Sequence, residues 1–133
     1  MARVLLPTAN MKDLIHILFV EDDSEMSEIY KEGFSAPDFS VSTAMNGQEA
    51  LSILEDRRED FDVIVTDNNM PEMSGLTLLK ALHEKFARIK VVVVTGYGNW
   101  SDYVNADDLG VSRFFDKPVK IAKLREAIRG ICA

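Results

Sequence analysis

From Leu14 onward the chain alternates short apolar runs of strand length with stretches whose apolar residues recur at helical spacing, and this alternation is the tightest constraint on its fold. Parallel strands need long crossovers, which helices supply, so repeated strand-helix units build a parallel sheet covered on both faces. Five strands and five helices are expected. The strands are read at 14–20, 39–44, 61–66, 91–95 and 113–116. Three are almost continuously apolar, as strands covered on both sides must be. Phe39, Val41 and Thr43 instead alternate with polar neighbours, which places the second strand nearer a sheet edge.

The first helix is read from Ser24 as N-cap to Gly33, with Glu25 and Glu28 in the turns where carboxylates suit the helix dipole, and with Met26, Ile29 and Tyr30 buried. The second, 47–58, shows Ala50, Leu51 and Leu54 on one face. The third, 76–86, carries Leu76, Leu79 and Leu82, and the last carries Ile121, Leu124, Ala127, Ile128 and Ile131. A fourth, 99–109, has only a thin apolar stripe because Asp102, Asn105, Asp107 and Asp108 interrupt it. No repeat, low-complexity tract or Pro/Gly-rich linker divides the chain, so one domain is expected over 12–133. Residues 1–11 read as a loose leader or an expression remnant: their Val4-Leu5-Leu6 patch is broken by Pro7 and lacks the long apolar centre of a secretory signal.

With 133 residues and 47% hydrophobic composition, the chain is enough for one core and too short for a second output domain. A formal net charge of -7 opposes direct nucleic-acid binding. Cys132 is the only cysteine, which excludes an intrachain disulfide and favours a reducing, cytoplasmic setting. The longest apolar stretch, 14–20, is far shorter than a bilayer span and is interrupted by His16, itself read as a packed core residue, so no membrane partner is expected.

In such a sheet every strand delivers its last residues to the carboxyl edge, where ligands bind. The first strand runs out into Glu21-Asp22-Asp23, the third into Asp67-Asn68-Asn69, the fourth into Thr95-Gly96 and the fifth into Lys117-Pro118. Gathered carboxylates repel one another unless a cation neutralises them. A hard divalent ion with oxygen ligands suits this set, magnesium first and manganese as the alternative, whereas zinc would want nitrogen or sulfur. A carboxylate can attack a phosphoryl group once that charge is offset, with Lys117 pairing one phosphoryl oxygen and the Thr95 hydroxyl donating to another.

These stretches resemble the response-regulator receiver domains typified by the bacterial chemotaxis regulator. The likeness covers about 15–131 and rests on Ile17-Leu18-Phe19-Val20-Glu21-Asp22-Asp23, Ala44-Met45-Asn46-Gly47-Gln48-Glu49-Ala50-Leu51, the run from Asp62 through Gly75, Val94-Thr95-Gly96-Tyr97-Gly98, and Phe114-Phe115-Asp116-Lys117-Pro118. It implies a three-layer αβα fold, its five-stranded parallel sheet in the flavodoxin-like order 2-1-3-4-5 with five helices. It implies Asp67 as phosphoacceptor in two-component signalling. The metal would be held by Glu21, Asp22, Asp67 and the Asn69 backbone carbonyl, with Asp23 outside the ligand set. It further implies a cis bond before Pro118, and a switch formed by Thr95 and Phe114 that acts on the face of the fourth helix, fifth strand and last helix. Phe114 lacks the hydroxyl that a tyrosine would bring there, so switching would work by packing. Asn69 and Tyr97 fall at positions that tune dephosphorylation. The implied partners are a sensor histidine kinase or histidine phosphotransfer protein and a downstream protein target, with a phosphorylation-dependent homodimer as a further expectation. The chain would be a switch that catalyses only its own aspartyl phosphorylation and dephosphorylation.

Taken singly, these residues have ordinary readings. Asp67 is a strand-end turn residue, Glu21-Asp22-Asp23 a solvated helix cap, Thr95 strand filling, Lys117 a surface amine and Phe114 core. Only their company at matching strand ends favours the chemistry. Trp100 and Tyr103, three apart on the fourth helix, read equally as core or as a partner surface. Two other classes compete: a constitutive interaction module that keeps the fold without the chemistry, and a flavin-binding electron carrier. The intact acidic, Thr and Lys positions speak against the first, and the acidic first loop would repel a flavin phosphate.

Overall fold

A computed structural model of the chain describes residues 14–67, 75–96 and 109–133. The elements are β1 (Ile15–Val20), α1 (Ser24–Gly33), β2 (Phe39–Ala44), α2 (Gly47–Arg57), a 3-10 turn (Arg58–Asp60), β3 (Val63–Asp67), α3 (Gly75–Lys85), β4 (Lys90–Thr95), β5 (Val111–Asp116) and α4 (Ile121–Ile131). The five strands form one parallel sheet in the order β2-β1-β3-β4-β5. This is the expected order 2-1-3-4-5, with the alternating strand β2 at an edge. The described residues contain four α-helices, and the helix expected over 99–109 falls, apart from Leu109, outside them. Among the described residues no helix is long and apolar enough to cross a membrane.

Strand side chains alternate between faces, and β1 shows what that does. Leu18 and Val20 pack with Ala50 and Leu54 of α2 and Leu78, Leu79 and Leu82 of α3, while Ile17 and Phe19 pack with Tyr30 of α1 and Leu124 and Ile128 of α4. The sheet thus separates two cores and makes three layers. Full burial of a Leu or Ile side chain contributes about 1.5–3 kcal/mol, so the two cores hold the strand ends in a fixed relation.

The α1/α4 layer is tied closely. A Cβ on Gly33 would run into Ile121 Cγ2, so only glycine lets the end of α1 approach α4 so nearly. Arg125 Nη1 donates to the Gly33 carbonyl at 2.7 Å, and Arg129 pairs with Asp38 at 2.8 and 3.2 Å while lying over the Phe39 ring.

Several expectations are corrected. The N-cap of α1 is Asp23 and not Ser24, because the Asp23 carboxylate accepts the backbone N–H groups of Glu25 and Met26 at 2.9 and 3.4 Å, and its charge also suits the helix dipole. Ile29 is 47% exposed, since the stripe facing the sheet runs through Tyr30 and Ile29 lies about 100° round the helix from it. His16 is half-buried at the amino end of β1 and not a fully packed core residue. β3 starts at Val63 because the Phe61 N–H closes the 3-10 turn onto Arg58. β5 starts at Val111 because a bulge between Val91 and Val92 lets Ser112 sit as an extra residue.

Candidate functional site

The site is assembled at the carboxyl ends of β1, β3, β4 and β5. Glu21 continues the ladder just past β1, its N–H bonded to the Ala44 carbonyl at 2.9 Å, and its side chain is 3% exposed. Asp22 follows on the surface. Asp67 is the last residue of β3, paired with Val94 of β4 and 6% exposed. Thr95 closes β4 beside Asp116 and is fully buried. Lys117 leaves β5 with its N–H bonded to the Thr95 carbonyl at 2.8 Å, and the Lys117-Pro118 bond is cis, as expected.

One carboxylate oxygen from each of Glu21, Asp22 and Asp67 lies within 4.8 Å of the others. That spacing lets one small cation touch all three, and the set is all oxygen, which is the donor chemistry magnesium prefers. The Lys117 ammonium donates to Asp67 Oδ2 and stands 4.0 Å from Glu21 Oε1. Asp23 lies outside the triad and supports it: its side chain caps α1 and its N–H donates to Glu21 Oε2 at 3.2 Å.

The electrostatics record the crowding. Burial, reinforced by the Asp67 charge, raises Glu21 from 4.5 to about 7 against the lowering effects of the Asp23 N–H and of Lys117. For Lys117, burial pulls the pKa down, but the hydrogen bond and charge of Asp67, then the charges of Glu21 and Asp22, carry it above the ordinary lysine value. The site therefore favours cationic charge at its centre. Thr95 adds an independent sign: its buried hydroxyl has no hydrogen-bond partner among the described residues. A buried hydroxyl of that kind is costly unless some state of the protein uses it.

Of the residues read from the sequence, Glu21, Asp22, Asp67, Thr95 and Lys117 converge. Phe114 sits on β5, half-buried against the α2/α3 core. Asn69 and Tyr97, with Trp100 and Tyr103, lie outside the described residues. The capping side of Asp23 was read from the sequence as part of a Glu21-Asp22-Asp23 helix cap, whereas the hydrogen bond from its N–H to Glu21 was missed.

Comparisons with known proteins agree with this geometry. Residues 17–129 match the family model of the response regulator receiver domain. The chain is 33% identical over 113 residues to the transcriptional regulatory protein GlrR of Escherichia coli (strain K12), covering 85% of this chain and 25% of that one. It is 33% identical over 115 residues to the transcriptional regulatory protein CpxR of the same strain, covering 86% and 48%. It thus spans half or less of the length of either relative. Among solved structures it resembles a response regulator receiver domain protein from Clostridium thermocellum with a TM-score of 0.83 and 28% identity, covering 90% of this chain and 94% of that one.

Proposed function

The chain belongs to the response regulator receiver domain family, a family of signalling switches in two-component systems, and on that premise we propose that Asp67 is its phosphoacceptor, taking a phosphoryl group from a phosphohistidine of a sensor kinase or phosphotransfer protein. The observation that carries this is the meeting of three acids within 4.8 Å with a lysine ammonium bonded to the buried one.

In this reading an Asp67 carboxylate oxygen attacks phosphorus, the new P–O bond forms as the donor P–N bond breaks, and the released imidazole takes its proton from solvent. Glu21, Asp22, Asp67 and the Asn69 backbone carbonyl would hold magnesium, with manganese able to substitute. The bound ion supplies charge neutralisation between nucleophile and phosphoryl group. Lys117 releases Asp67 and pairs with a phosphoryl oxygen, and the Thr95 hydroxyl finds its partner in another. As Thr95 is drawn to the phosphoryl group, the Phe114 ring repacks, altering the surface of β5 and α4, where a protein target or a second copy would dock. By the family likeness Asn69 and Tyr97 would tune dephosphorylation, with the bulk of Tyr97 slowing hydrolysis. A cytoplasmic setting follows from these partners.

Beryllofluoride with magnesium tests this as a phosphoryl mimic. Amide resonances around Thr95 and Phe114 should shift in the native protein and stay fixed in Asp67→Ala; identical behaviour of the two proteins would reject the reading.

A further inference from the structure

Tyr30 is 3% exposed, and its ring stacks on Phe19 with centroids 4.3 Å apart and planes at 12°. Phe19 meets Phe34 edge-on at 5.1 Å, and Phe34 meets Phe39 at 4.9 Å, so the ring is fixed from below by an aromatic series. Packing alone accounts for the ring. It does not account for the hydroxyl, which holds no hydrogen bond among the described residues.

Two directional facts indicate where that hydroxyl goes. Phe19 and Glu21 are two residues apart on an extended segment, so their side chains leave the same face of the sheet, the face that α1 covers. Side chains on a helix lean toward its N-terminus, and α1 begins at the carboxyl edge immediately after Glu21-Asp22-Asp23. A tyrosine on α1 stacked over Phe19 therefore extends toward Glu21. The electrostatics agree: burial, then the charge of Glu21, then that of Asp67 all push the Tyr30 phenol upward, so the phenol stays protonated and able to donate.

We propose that Tyr30 is a positioning residue of the cation site, its hydroxyl donating a hydrogen bond to the Glu21 carboxylate when that carboxylate is ionised on a bound cation. The inference rests on the reading of Glu21 as a metal ligand. The donor to a ligating carboxylate fixes its orientation, as the partners of metal ligands generally do. A leucine or valine at position 30 would fill the core and leave Glu21 held by the Asp23 N–H alone among these contacts.

Calorimetric magnesium titrations of the wild type, Tyr30→Phe, Tyr30→Leu and Asp22→Ala test this, with thermal unfolding of each metal-free protein. Tyr30→Phe should weaken magnesium binding roughly three- to tenfold, the size of one hydrogen bond, and should not lower the metal-free midpoint. Tyr30→Leu should weaken binding at least as much and also lower the midpoint, because the stack is lost. Wild-type affinity in Tyr30→Phe overturns the assignment and leaves Tyr30 a packing residue. Asp22→Ala separates the premise from the inference. If it binds magnesium as the wild type does, or if the wild type binds none, the cation site itself is wrong and the Tyr30 assignment falls with it.

Discussion

Lys117, carried just past β5, donates its ammonium to Asp67 Oδ2 at the end of β3 and stands 4.0 Å from Glu21 Oε1 beyond β1. One side chain thus bridges acids from two other strands. In the proposed reading, the same group that balances the resting carboxylates would follow charge as it moves onto the phosphate.

Replacing Lys117 by Ala should therefore separate two properties. Phosphorylation by acetyl phosphate should slow at least tenfold, because the developing phosphoryl charge loses its partner. Magnesium binding should persist and tighten, because a competing cation has left the acids. Stopped-flow fluorescence and a magnesium titration read the two effects; parallel loss of both would show that Lys117 merely supports the local fold.

Glu21 predicts a pH dependence. Its carboxyl in the metal-free fold titrates at about 7 against an ordinary 4.5, so between those values the folded chain holds more protons than the unfolded one. The stability of the metal-free protein should thus fall as pH rises from about 4.5 to about 7. Magnesium competes with that proton, so its affinity should climb through the upper part of this window and level off above about 7. Urea unfolding with and without magnesium at several pH values checks both trends, and a flat magnesium affinity between pH 6 and 8 would contradict them.

The unpartnered Thr95 hydroxyl predicts an uncommon outcome for a core substitution. Thr95→Val keeps the shape and removes the buried polar group, and should stabilise the unphosphorylated protein by about 1 kcal/mol. The beryllofluoride-induced shifts at Phe114 should vanish in Thr95→Val and survive in Thr95→Ser. Urea titration and heteronuclear NMR provide the two readouts.

Gly33→Ala tests the tie between α1 and α4. The added methyl meets Ile121 Cγ2, which a β-branched residue cannot swing aside, so a loss of about 1–3 kcal/mol is expected. Adding Ile121→Ala should relieve the clash, so that the double substitution is less harmful than the sum of the two singles.

The edge position of β2 and the convergence of Glu21, Asp22, Asp67, Thr95 and Lys117 were legible in the sequence, because apolar runs mark strands and a parallel sheet sends every strand end to one edge; the strand order came only from the family resemblance. Boundaries were less legible. Asp23 and Ser24 are both good caps, and only the backbone geometry decides that Asp23 does the work. Ile29 looked buried along with Tyr30 because apolar spacing defines a stripe only roughly, and the helix turns Tyr30 to the sheet while Ile29 faces outward. The close approach of Gly33 to Ile121 and the stacking of Tyr30 on Phe19 join residues on different elements, and no local pattern records such meetings.

The most direct test of the account is the intact mass of the protein after acetyl phosphate treatment in magnesium, with Asp67→Asn treated alongside. The account predicts that the wild type gains a single phosphoryl group, that chelating the magnesium prevents the gain, and that Asp67→Asn gains none. A phosphoryl group appearing equally on Asp67→Asn, or no gain on a wild type shown to bind magnesium, would contradict it.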